Sequence, residues 1–243
     1  GGPDAASEGK AVGDRVIIYI HGGAFACCTA DTYQWIVGEF LTEATGQVVL
    51  IPSYETTSTN PFPSALEQMT KVYVNCVELY GEDNVVLMGD SAGGNLCLTT
   101  IMNAADKYQT PSPAGCVLFS PWVDLRNSAL FDSSIDANNP ANGGLTNFGK
   151  ADYLPPNAIN LLQYAYANKA DRDANPLISP LLATSDMLAT LPPVFFTQGD
   201  QEVLYDQQLS MVNTLKNTAF AGAGKSRYSW YKPTKILDDS NYY

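Results

Sequence analysis

Gly89-Asp90-Ser91-Ala92-Gly93-Gly94 follows the apolar run Val85-Val86-Leu87-Met88. A serine hydroxyl is a weak nucleophile near neutral pH and needs exposure, a base and donors for the oxyanion it creates. A strand that turns sharply into a helix, with glycine on either side of the serine, supplies the exposure. The new helix also brings its first N–H groups near Ser91, which favours developing negative charge there. The chemistry this pattern suits is acyl transfer. A second pattern, His21-Gly22-Gly23-Ala24-Phe25, follows another apolar run, Arg15 to Ile20. A Gly-Gly turn at a strand end can aim backbone N–H groups at one oxygen. The expected oxyanion donors are Gly22, Gly23 and Ala92. His21 precedes these glycines and reads as support for the turn, pointing away from Ser91.

His21 is also the chain's single histidine. A serine nucleophile of this kind uses an imidazole to take its proton and later to give it to the leaving group. The sequence therefore presents an elbow and an oxyanion turn without an evident base. Asp200, Glu202 and Asp206 stand at the start of the last helical run, where an acid could either orient such a base or serve the helix alone. An acidic residue in the first turn of a helix is also favoured by the helix dipole alone.

The elements that must position these residues alternate. Strands are expected at Arg15–Ile20, Gln47–Ile51, Asn84–Met88, Gly115–Ser120, Pro193–Thr197 and Arg227–Tyr231. Helices are expected at Thr32–Ala44, Ser64–Tyr80, Asn95–Tyr108 and Glu202–Leu215, several with apolar residues at helical spacing. Near-continuous apolar strands separated by helices imply an α/β fold with a mostly parallel sheet covered on both faces. Residues 121–192, rich in Asn, Pro, Asp and Ala with one amphipathic piece at Ile159–Ala167, break this rhythm. They read as a helical, cap-like insertion over the carboxyl ends of the strands, where open α/β sheets bind ligands. Trp122, Phe131, Tyr153 and Tyr164 are its candidate pocket-wall residues. Residues 1–243 read as one such domain, with a loose arm over the first 14.

Net charge and cysteine usage bound the partners. A formal charge of −12 argues against nucleic acid and anionic membrane surfaces, which select Lys/Arg clusters. The five cysteines lie in apolar segments and, with one histidine, assemble no zinc site. Free buried thiols fit a cytoplasmic or other intracellular setting. No apolar run approaches a membrane span of ~18 residues.

Taken together, His21-Gly-Gly-Ala-Phe25, Asn60-Pro-Phe-Pro63, Gly89-Asp-Ser-Ala-Gly-Gly94, Ser120-Pro-Trp-Val-Asp124 and Gly199-Asp-Gln-Glu-Val-Leu-Tyr-Asp206 give a chain that resembles the hormone-sensitive-lipase-like branch of the α/β-hydrolases. The resemblance covers about residues 15–231. It implies the α/β-hydrolase fold, a carboxylesterase acting on a small-molecule ester with a short acyl group, and no cofactor or metal. It also implies Ser91 as nucleophile and Glu202 as triad acid, where the family more often has Asp. Three departures accompany it. Ser53-Tyr-Glu-Thr-Thr-Ser-Thr59 replaces the family's Asp-Tyr-Arg-Leu-Ala-Pro-Glu. The helices that form the family's N-terminal lid are not seen before the first strand. The family's histidine belongs in Lys232-Pro-Thr-Lys-Ile-Leu-Asp238, where Ile236 stands at the expected place. The alternative is a pseudoenzyme of the same fold that binds a small apolar ligand, as plant gibberellin receptors do, or serves as a structural subunit.

Overall fold

Val16–Ile20 (β1) is apolar throughout and buried throughout. A run without polar alternation is what a strand covered on both faces requires. In the computed structural model, which describes residues 15–126, 152–218 and 228–231, five further strands join it. They are β2 (Val48–Leu50), β3 (Val85–Asp90), β4 (Gly115–Phe119), β5 (Val194–Thr197) and β6 (Tyr228–Tyr231). The order across the sheet is β2-β1-β3-β4-β5-β6, and every neighbouring pair is parallel. Parallel neighbours need crossover connections, and helices supply them.

The first crossover runs from Ala30 to Thr45. It opens as α1 (Ala30–Tyr33), passes through a π-helical turn at Gln34–Gly38 and continues as α2 (Glu39–Thr45). Thr29 caps its start by accepting from the Thr32 N–H, and Gly46, at φ +65°, closes its end. α3 (Ser64–Tyr80) joins β2 to β3, and α4 (Ser91–Tyr108) joins β3 to β4. Four helices follow among the described residues: α5 (Pro156–Tyr166), α6 (Lys169–Ala174), α7 (Ser185–Leu188) and α8 (Tyr205–Thr218).

Pairing register puts Val16, Ile18, Val85, Leu87, Cys116, Leu118, Val194 and Phe196 on one face of the sheet, and all are buried. The core continues from that face into Leu66, Met69 and Tyr73 of α3 and Leu96, Leu98 and Ile101 of α4. On the opposite face Tyr19 meets Tyr33 of α1, ring centroids 5.8 Å apart. Helices therefore lie on both faces, as the alternation implied. None of the described helices is long and apolar enough to cross a membrane.

Three expectations change. α4 begins at Ser91 rather than at Asn95, so Ala92, Gly93 and Gly94 are helical. α8 begins at Tyr205, leaving Glu202 in the turn before it. Cys76, Cys97 and Cys116 are buried as free thiols, but Cys27 and Cys28 are exposed. They follow a turn at the sheet's carboxyl end, not a core segment.

Candidate active site

Ser91 is the first residue of α4 and its φ is +51°, a left-handed setting that a serine rarely adopts. The strain follows from packing on either side. A side chain on Gly89 would stand 2.7 Å from the Ile20 carbonyl oxygen, and one on Gly93 only 2.0 Å from it. Glycine at both positions lets the end of β3 and the start of α4 press against the end of β1. A side chain on Gly94 would meet Pro121 Cβ at 2.7 Å, so α4 also closes on the loop after β4. There the Trp122 N–H donates to the Ser91 carbonyl oxygen (2.9 Å). Backbone contacts thus fix the serine on two sides, and its side chain is half-buried.

The His21 turn is locked to the same elbow by Asp90. Asp90 Oδ1 accepts from the Gly22 N–H (3.1 Å) and from the Tyr19 hydroxyl (3.1 Å), while Oδ2 accepts from the Tyr33 hydroxyl (2.8 Å). Burial pushes the Asp90 carboxyl up, and these three hydrogen bonds pull it back. Burial foremost, and the Asp90 charge next, push the Tyr19 and Tyr33 hydroxyls up, so both stay protonated and donate. Gly22 is corrected here as an oxyanion donor, because its N–H is already held by Asp90. The Gly23 N–H, among the described residues, makes no hydrogen bond. Gly23 at φ +107°, Ala24 at +53° and Phe25 at +59° form a run of left-handed settings that turns the chain sharply at this end of the sheet. Ala92 lies in the first turn of α4, where N–H groups have no intrahelical acceptor.

His21 is buried. Its ring stacks on Tyr54 with centroids 4.2 Å apart, and its Nδ1 lies 2.8 Å from the Gly22 carbonyl oxygen. An acceptor there makes Nδ1 the protonated nitrogen. Tyr54 donates its hydroxyl to the His21 carbonyl oxygen (2.8 Å). Burial lowers the imidazole's affinity for a second proton, so it stays neutral. These contacts hold the turn to Tyr54 in the loop after β2.

Glu202 lies two strands across. Its Oε1 accepts from the Ser120 hydroxyl (2.5 Å) and the Gly199 N–H (2.6 Å), and its Oε2 from Gln208 Nε2 (2.9 Å). Ser120 directly follows β4, at φ +46°, two residues before the Trp122 N–H that meets Ser91. Two hydrogen bonds and the stretch of chain from Ser120 to Trp122 therefore join the carboxylate to the elbow. Asp200 and Asp206 are exposed. Ile236 and Phe131 lie outside the described residues. Of the remaining wall candidates, Trp122 is buried beside the elbow, whereas Tyr153 is 87% exposed and Tyr164 is exposed over the Arg172 guanidinium. Tyr166 is the residue of that segment that reaches the site. It stacks on Phe25 with centroids 3.8 Å apart, and its carbonyl accepts from the Phe62 N–H (2.9 Å). Its place in the periodicity of α5, on the buried side, was the available signal. Asn95 was also missed. Its Nδ2 donates to the Trp122 and Ile178 carbonyls at 2.8 and 3.0 Å, which ties α4 to the loops around the elbow. Among the described residues no three His, Cys, Asp or Glu side chains group so as to hold a metal ion.

A parallel sheet in which β3 leads into a strained serine, beside a glycine turn from its neighbour β1, defines an α/β-hydrolase. A family described by the alpha/beta hydrolase fold matches residues 17–225, and the chain belongs to it. Within that fold it is a hormone-sensitive-lipase-like protein. It is similar to an acetyl-hydrolase of Streptomyces hygroscopicus, 31% identical over 194 residues, covering 79% of this chain and 58% of that protein. It is similar also to the hormone-sensitive lipase of Mus musculus, 33% identical over 119 residues, 47% of this chain and 15% of the lipase. The solved structure of the HSL-homolog EstE7 from a metagenome library superposes with a TM-score of 0.72 at 27% identity, over 91% of this chain and 68% of that one. The chain spans a little under three fifths of the length of the acetyl-hydrolase.

Proposed function

We propose that this domain hydrolyses carboxylic esters of small molecules, with Ser91 as nucleophile. The observation that carries the reading is Ser91 at φ +51° on the strand-to-helix turn, held against the glycine turn through Asp90 and Gly22. In this reading Ser91 Oγ attacks the ester carbonyl. The N–H groups of Gly23 and Ala92 stabilise the oxyanion, the alcohol leaves, and water releases the acyl group. Glu202 is the acid that would hold an imidazole. The family membership and the names of relatives that act on acetyl groups favour a short acyl chain. His21, the single histidine of the sequence, is stacked on Tyr54, so in this reading proton removal from Ser91 limits the rate. Two lines of support bear on the same reading: glycines retained at each close backbone approach, and a carboxylate held by three donors next to the loop that meets Ser91.

The test is hydrolysis of p-nitrophenyl acetate by the chain and by Ser91→Ala. Slow acylation that disappears in Ser91→Ala is expected. A rate unchanged by that substitution overturns the reading. Fast turnover that Ser91→Ala abolishes would keep Ser91 but supply a base not assigned here, and His21→Gln is then the variant to measure.

A further inference from the structure

We propose that Cys27 and Cys28 form a reversible thiol-modification site: exchange with a low-molecular-weight disulfide closes them into a ring and reshapes the Gly23 turn. Its consequence for ester turnover rests on the hydrolase reading above, while its consequence for the turn does not. Of the five cysteines, only this adjacent pair is exposed. The pair is also part of the turn. The Gly23 carbonyl oxygen accepts from the Ala26 N–H (2.9 Å), the Cys27 N–H (2.9 Å) and the Cys27 thiol (3.1 Å). A side chain on Gly23 would meet the Cys27 carbonyl oxygen at 2.1 Å and Cys28 Cβ at 3.0 Å, so the peptide between the two cysteines lies directly on Gly23. Cys28 itself has φ +68°, continuing the left-handed run of the turn. Any torsional change at this peptide is therefore delivered to the residue whose N–H is proposed to meet the oxyanion.

The chemistry is thiol–disulfide exchange. Both thiols are exposed, so either can make the first attack, here taken at Cys27. The Cys27 thiolate attacks one sulfur of the small disulfide, and a mixed disulfide forms. The first small thiolate leaves and takes up the proton that Cys27 lost. The Cys28 thiolate then attacks Cys27 Sγ and expels the second small thiol. Two protein thiols are oxidised by two electrons, and the small disulfide is reduced to two thiols. Neighbouring Cα atoms are about 3.8 Å apart across a trans peptide, shorter than the roughly 4.4–6.8 Å that disulfides prefer. The ring is strained and hence easily reduced, which suits a reversible switch. To close it, Cys27 Sγ must leave the Gly23 carbonyl and the peptide lying on Gly23 must twist.

The test treats the reduced full chain with excess oxidised glutathione. It reads peptide masses, amide hydrogen exchange and p-nitrophenyl acetate hydrolysis. The peptide holding both cysteines is expected to lose two hydrogens, Cys28→Ser to stop at a glutathione adduct, and Cys76, Cys97 and Cys116 to stay unmodified. Exchange at the Ala26 and Cys27 amides should rise about tenfold or more as their bonds to Gly23 open. Ester turnover should fall about tenfold or more, as when an oxyanion donor is displaced. Dithiothreitol should reverse all three changes. Absence of any adduct or ring at Cys27 and Cys28 overturns the proposal, as does a ring that leaves amide exchange unchanged. A reduced chain without ester turnover counts against the hydrolase reading alone, and mass and exchange then decide the switch.

Discussion

Asp90 is the side chain through which the elbow and the glycine turn hold each other. Its two oxygens take hydrogen bonds from Tyr19, Tyr33 and Gly22, and it is the residue immediately before Ser91. Removing it strands those donors in a partly buried site, at about 1–3 kcal/mol for each donor left without water or another acceptor. Asp90→Ala is therefore expected to lower the thermal midpoint clearly. Asp90→Asn, which keeps the shape and one carbonyl acceptor, should lose less. Thermal denaturation of the two variants checks this, and an Asp90→Ala chain as stable as the parent would rule out the brace. The serine motif was legible because glycine spacing around a nucleophile has few other uses. The brace was not, because Tyr19 and Tyr33 lie 71 and 57 residues away in sequence. For the same reason Gly22 read as an oxyanion donor: sequence reports a glycine's freedom but not where its N–H is turned.

At the level of elements, the six strands fall within two residues of their expected limits, because short runs of β-branched, aromatic and other apolar residues between helices have few alternatives. Helix starts were harder. Ser91-Ala92-Gly93-Gly94 reads as a loop by propensity, since glycine costs about 1 kcal/mol in a helix interior. Close contact with β1 and with Pro121 outweighs that cost, and α4 begins four residues early. Glu202 shows the opposite error. An acid ahead of an amphipathic run reads as a first helical turn, yet its carboxylate is drawn back to Gly199 and Ser120 and the helix waits until Tyr205. This gives Glu202 a structural task whatever its chemistry, since it ties the turn after β5 to the end of β4. Glu202→Ala should destabilise the fold by about 1–3 kcal/mol, measured by urea denaturation, and no change would remove that task. The imidazole position is a separate matter that activity decides. Ile236→His is expected to raise p-nitrophenyl acetate hydrolysis about a hundredfold if Glu202 frames a slot for a base. A variant that folds but gains nothing would argue that Glu202 serves architecture alone.

Across the whole molecule, burial of tyrosine rather than charge pairing sets how stability responds to pH. Among the described residues the ion pairs are Lys107–Glu67, Arg126–Asp124 and Lys169–Asp173, with the first and third largely exposed. Such exposed pairs contribute little. Burial, by contrast, pushes Tyr19, Tyr33, Tyr54, Tyr73 and Tyr166 all upward. A group whose folded pKa lies above its unfolded value keeps its proton longer in the native state. Its contribution is complete below the unfolded value, about 10 for tyrosine, and is lost as pH rises beyond it. The alkaline limb should therefore begin near pH 10 and steepen with several protons, each about 1.4 kcal/mol per pH unit. His21 works on the acid side with the opposite sign. Its folded pKa is lowered, so the unfolded chain binds the extra proton first and stability falls as pH drops below about 6.5. Asp90, raised by burial, offsets part of this further down, because the native state takes its proton above the ordinary carboxylate range. Urea unfolding measured from pH 5 to pH 11 in moderate salt should give a plateau between two limbs. His21→Gln should flatten only the acid limb, and Tyr19→Phe should make the alkaline limb shallower. A stability that stays level from pH 9 to pH 11 would mean that these hydroxyls are not held protonated in the native state.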